Sequence, residues 1–205
     1  MAESIVQVTE GSGKKLHTFQ RTIGANSVED EVVLLGENYL ASYIVAPAAF
    51  VSTATANSHL LQIMAGASNR VRIRRIEIWQ TGLATTVALM DTRIYRLTTA
   101  GTGGTAHTPN VLDPADGAAG FTAMTLPTVK GTEGVLFALS RPYMMQTLGA
   151  SAQLNQPVLV WDFDRPRSKP LTIAAGTTNG IAIKNIDAVA AATVFINVWA
   201  DESNF

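Results

Sequence analysis

The chain is 205 residues long, enough for one domain or one domain with an appendage, and its 15 basic and 16 acidic residues leave a net charge of −1. That balance offers no general attraction to nucleic acid or to an anionic membrane, and neither is expected as a partner. No cysteine is present, which excludes disulfides and thiolate metal sites, and a chain of this size buries about 70% of its unfolded surface without such staples.

Residues 1–40 read as an N-terminal arm. Glu10-Gly11-Ser12-Gly13-Lys14-Lys15 and Gly24-Ala25-Asn26-Ser27 are turn signals, and the apolar pieces around them are of about strand length. Four-residue pieces form no core of their own. Ile5, Val6, Val8, Leu16, Phe19 and Ile23 would be costly to leave wet, so the arm is expected to lie on a neighbouring copy or another protein. Met1-Ala2-Glu3-Ser4 lacks a basic n-region and no apolar h-region follows, so no secretory signal is expected. The apolar stretch 39–51 is interrupted by Ser42 and Pro47 and is too short to span a bilayer.

Residues 41–205 read as the β domain, and the chain's character switches near Ser58. Short β-branched runs recur, each broken by Gly, Pro, Asn or Asp. Strands are predicted over 43–51, with Pro47 marking an edge or bulge, and over 59–65, 71–80 and 86–97. In 71–80, Val71 and Ile73 point inward and then Ile76 and Ile78 do, a phase change that predicts a β-bulge at Arg74-Arg75. Residues 98–120, rich in Gly, Thr, Pro and Asp, read as a long loop. Further strands follow near 121–124, 135–139, 158–163, 171–174, 181–184 and 193–200. With no amphipathic helix in view, the expectation is an all-β, jelly-roll-like sandwich of about eight strands carrying the arm.

No motif supplies catalytic chemistry. Gly11-Ser12-Gly13-Lys14 lacks the preceding glycine and the following hydroxyl of a phosphate loop, since Val8 and Lys15 occupy those places. Gly101-x-Gly103-Gly104 lacks the third glycine and helix of a dinucleotide turn. His17, His59 and His107 are isolated, and neither Ser12 nor Ser68 sits in a Gly-x-Ser-x-Gly elbow, so no enzyme, metal or cofactor is expected. Asp162 and Asp164 point to one strand face, where they could hold a cation, but Arg165 and Arg167 follow and make a salt-bridged strand end the simpler reading. Arg72 and Arg74 share a face with room for phosphate or a partner's acids. In 193–200, Val194, Ile196 and Val198 read as core, which turns Phe195 and Trp199 to the outer face with Asn197. Two such aromatics mark a buried contact, either with another protein or with the arm.

The opening Val8-Thr9-Glu10-Gly11-Ser12-Gly13-Lys14-Lys15 resembles the starts of tailed-bacteriophage virion proteins. Lys169-Pro170-Leu171-Thr172-Ile173-Ala174-Ala175-Gly176, then Gly180-Ile181-Ala182-Ile183 and the closing Val198-Trp199-Ala200-Asp201-Glu202, are similar to the ends of phage jelly-roll structural proteins. The resemblance implies a virion subunit of the capsid decoration (cement) type, made in the host cytoplasm and placed on the capsid surface. It implies the major capsid protein and further copies of the chain, in a homotrimer, as partners. A tail, neck or baseplate subunit is a second reading within that class. A carbohydrate-binding jelly roll, with the 98–120 loop meeting a glycan, is a third from another class, although that loop contains no aromatic residue.

Overall fold

Alternating apolar residues and β-branched side chains fit a pleated, half-buried surface, and the Gly, Pro and Asn breaks end each run before it lengthens. The computed structural model describes residues 18–23, 26–31, 40–82, 84–85, 88–144, 157–164 and 169–203. Those residues hold seventeen strands and no helix.

The chain divides into two units, Met1–Tyr39 and Leu40–Phe205. In the first, β1 (Thr18–Ile23) and β2 (Asn26–Glu31) form an antiparallel hairpin with Ile23 paired to Asn26. Two residues separate the strands, a length that suits a connection containing glycine. Asn26 and Ser27, which the sequence marks as turn formers, therefore belong to β2.

The second unit contains, in chain order, β3 (Ala41–Val45), β4 (Val51–Ser52), β5 (Ser58–Met64), β6 (Arg70–Gly82), β7 (Ala88–Leu89), β8 (Thr92–Leu97), β9 (Thr105–His107), β10 (Asn110–Val111), β11 (Thr122–Thr125), β12 (Glu133–Ser140), β13 (Tyr143–Met144), β14 (Leu159–Asp162), β15 (Leu171–Ile173), β16 (Gly180–Asn185) and β17 (Thr193–Ser203). One sheet runs β10-β3-β17-β6-β14, with β15 continuing the β14 edge along β6 and β4 pairing with β17. The other runs β12-β8-β16-β5-β11-β9.

Let β3, β5, β6, β8, β12, the β14–β15 edge, β16 and β17 be numbered one to eight. The sheets then read 1-8-3-6 and 2-7-4-5, the order of a jelly roll. The segment between β8 and β12 supplies β9, β10 and β11, which extend both sheets on the β3–β5 side. The expected loop 98–120 thus contains strand pairing that its Gly-rich composition hides. On the opposite side, β12 and β14–β15 end their sheets.

The inner faces meet in one core. Val71, Ile73, Ile76 and Ile78 of β6 pack with Val194, Ile196 and Val198 of β17 and with Leu61, Ile63, Ile94, Ile181 and Ile183 from the other sheet. Tyr43 and Phe121 close the β3–β5 side edge to face, 5.5 Å between ring centroids. The predicted bulge is present: Trp199 pairs with Arg75 and Ala200 with Ile73, so one residue of β6 is extra at Arg74-Arg75. A second irregularity, where Ile183 pairs with Leu61 and Lys184 with His59, turns both Leu60 and Leu61 to the core. The single strand expected over 86–97 is broken at Met90-Asp91. Met90 donates its N–H to the Pro142 carbonyl, and Asp91 receives the Arg93 guanidinium at 2.9 Å, so β7 pairs with β13 instead of continuing β8.

Candidate functional site

Three places on the second unit concentrate chemistry. The first is the outer face of the β17–β6 sheet. Phe195, Asn197 and Trp199 alternate outward along β17, and β6 sets Trp79 opposite Phe195 and Arg75 opposite Trp199. The Arg75 guanidinium lies 5.9 Å from the Trp199 ring centroid, and it also pairs with Glu77, which accepts the Trp79 indole N–H at 3.1 Å. Arg74, turned outward by the bulge, bridges Asp201 and Asp164. Arg74, Arg75, Glu77, Trp199 and the Asp162–Asp164 pair, among others, line a groove of about 620 Å³.

Of the residues singled out from the sequence, Arg74 and Trp199 meet in this groove. Arg72 stands beside it on the same face, in register with Asp201 and Thr172, and Phe195 pairs with Trp79. Phe19 and Ile23 belong to β1. Ile5, Val6, Val8 and Leu16 lie outside the described residues. The acid pair does share the groove, with the Asp164 N–H donated to Asp162 Oδ1, but its guanidinium comes from Arg74 across the sheet. Arg165 and Arg167, named for that role from the sequence, lie outside the described residues.

The second place is a chain of buried polar groups beneath the β8–β12 insertion. The Gly101 N–H is donated to Gln62 Oε1 at 2.9 Å, which orients the amide so that Nε2 donates to His59 Nδ1 at 2.6 Å. His59 is fully buried, and its Nε2–H then donates to Glu133 Oε1 at 2.8 Å. Lys184 donates to the other Glu133 oxygen at 2.9 Å. This pattern assigns His59 as the neutral Nε2–H tautomer. Burial lowers its pKa below the ordinary imidazole value, outweighing the Glu133 carboxylate; Lys130 and Lys184 push the same way as burial. Burial raises the Glu133 carboxyl, yet the hydrogen bonds and charges of Lys184 and His59 hold it below the usual range. The arrangement pins the start of β12 to its sheet. Among the described residues, no group of three or more His, Asp or Glu is placed to hold a metal ion.

The third place is the open side formed by β12 and β14. Val135 is 74% exposed, Phe137 45%, Leu139 58% and nearby Tyr143 70%. No charge interrupts β12 between Glu133 and Arg141. Two register irregularities against β8 break its pleat, so consecutive apolar side chains reach solvent. Between the two edges lies a groove of about 550 Å³ lined by Arg96, Phe137, Val160, Trp161, Phe163 and Lys169, among others. Phe137 meets Phe163 edge to face, with centroids 5.8 Å apart, and Arg96 reaches across to the Thr172 carbonyl with its guanidinium 5.5 Å from the Phe137 centroid.

The sequence marks 135–139 only as a strand and does not announce this surface. A signal was present: Val-Leu-Phe-Ala-Leu does not alternate, and an unalternating apolar strand is buried on both faces or covered by something else. Compared with known proteins, the chain matches no family model, no curated protein and no solved structure.

Proposed function

We propose that this chain is a non-enzymatic assembly subunit: a virion structural protein of the capsid-decoration type that binds the major capsid protein and further copies of itself. The observation that carries the reading is the open side of the sandwich. Val135, Leu136, Phe137, Leu139 and Tyr143 stand exposed on or beside an edge strand that carries no charge between Glu133 and Arg141, and exposed apolar patches mark interaction sites. An edge strand left in that state pairs or aggregates unless a partner covers it. A subunit that spends its life against neighbours tolerates such an edge. Its effect would be added interface area across capsomer boundaries, favouring the assembled shell by mass action.

Counting copies of the chain in purified particles, with heads and tails separated, tests the reading. A copy number that follows the capsid lattice supports it, a small number confined to tails moves the protein to the tail, neck or baseplate, and absence from particles overturns it. The Trp199 groove favours a second reading, a glycan platform. Arg75 already lies over that indole, and Arg74 and Arg75 are held by Asp164, Asp201 and Glu77, so the surface offers a sugar less than the open side offers a protein.

A further inference from the structure

We propose that the groove between β12 and β14 docks an extended, acidic peptide segment of a partner protein, with the partner's carboxylates on Arg96 and Lys169 and its apolar side chains on Phe137, Val160 and Trp161. The proposal rests on the assembly reading of this side of the sandwich and names the chemistry of the occupant.

The charges carry the argument. Along β8, Ile94 points to the core, Tyr95 lies beneath Lys184 on the outer face, and Arg96 turns back between the sheets. Its contacts are one hydrogen bond, to the Thr172 carbonyl, and the Phe137 ring. A guanidinium has five N–H donors, and the bond to the Thr172 carbonyl uses one of them.

Several other cations of this unit are matched to acids, whereas Lys130 donates to the Asn57 carbonyl. Arg93 grips Asp91 with two bonds of 2.9 Å, Arg74 holds Asp164 and Asp201, Arg75 holds Glu77, and Lys184 holds Glu133. Arg96 and Lys169 have no carboxylate partner among the described residues. Asp162 also lines the groove, where its Oδ1 accepts the Asp164 N–H, so the described lining residues hold two cations against one acid. Burial disfavours the charged form of Arg96, a cost that an incoming carboxylate would offset.

The apolar half of the recognition is Phe137, Val160 and Trp161, which line the groove between two strand edges, the setting in which extended peptides dock with alternate side chains in pockets. A second copy's β12 matches this groove poorly, because its one acid, Glu133, is already held by His59 and Lys184.

The test uses the full chain and a short fluorescent peptide alternating Glu with Leu. Binding is followed by anisotropy and by Trp161 emission, with Trp161→Phe as the emission control. The wild-type protein should bind and should weaken as salt rises. Replacing Glu by Gln in the peptide should weaken binding about tenfold or more, equivalent to about 1.4 kcal/mol. Arg96→Gln should do the same, and so should Lys169→Glu, an exposed change that keeps the test alive if the Arg96 variant misfolds. Lys130→Gln, outside the groove, should bind normally.

Failure of the wild-type protein to bind, equal binding of the Gln peptide, or normal binding by Lys169→Glu would each overturn the acidic occupant. So would concentration-dependent self-association abolished by Phe137→Ser. Particle incorporation separates the two readings. If Val135→Lys/Leu139→Lys blocks incorporation while the peptide fails, the acidic occupant alone falls. If that variant incorporates normally, the assembly reading falls with it.

Discussion

The hydrogen bonds around His59 accept one protonation state. A second proton on Nδ1 would face the Gln62 amide donor, and turning that amide would set its NH₂ against the Gly101 N–H. With its folded pKa held below the ordinary value of about 6.5, His59 contributes stability that is present above that value and lost as the pH falls through the lower folded one. Glu133, also depressed, contributes stability present above about 4.3 and lost below that as it protonates. The thermal midpoint should therefore drop as the pH is lowered from about 6.5 to 5. His59→Gln should flatten that slope while lowering the midpoint at neutral pH; equal slopes in the two proteins would refute the neutral assignment. Gly101 is held by space as well. A Cβ there would stand 2.6 Å from the Val129 carbonyl oxygen and 2.7 Å from Gln62 Nε2. Gly101→Ala should cost about 1–3 kcal/mol in denaturant unfolding.

Among the elements, β12 and β17 make a useful contrast. Both are rich in apolar residues, but β17 buries Val194, Ile196 and Val198 between neighbours on both sides, whereas β12 ends its sheet and shows Val135 and Leu139 to solvent. Ile196→Ala should accordingly cost about 2–5 kcal/mol of stability. Val135→Lys and Leu139→Lys should change it by no more than about 0.5 kcal/mol each, while removing the chain from particles. Chemical denaturation and a particle-binding assay, run on the same variants, check both halves of that statement. A large loss of stability from Val135→Lys would mean that its side chain is covered within the chain. The strand pattern announced β17 because its alternation is regular. It concealed the role of β12 because a run without alternation looks the same whether a sheet or a partner covers it.

For the whole molecule, the division at Tyr39 and Leu40 separates a hairpin unit from a jelly roll whose core draws on both of its sheets. Deleting residues 2–30 removes β1 and most of β2 and none of the core residues named above. The truncated protein should unfold cooperatively at the melting temperature of the full chain but enter particles poorly. Failure to fold would show that the arm belongs to the domain's own core, and normal incorporation would show that it is not an anchor.

By itself, the sequence determined what depends on neighbours along the chain. The all-β character follows from strand-length runs ended by Gly and Pro. The bulge at Arg74-Arg75 follows from a phase change between Ile73 and Ile76, and the outward placing of Trp199 from its alternation with Val198. Only the tertiary structure decided what depends on partners distant in sequence. It paired Arg74 with Asp164 and Asp201, tied His59 to Glu133, drew strands from the 98–120 segment onto two sheets, and left β12 and β14 as the edges of the open side. The physical reason is that a side chain's face is set by local backbone geometry with a period of two. Whether that face is covered, and by which charge, is set by strand order, which no local pattern encodes.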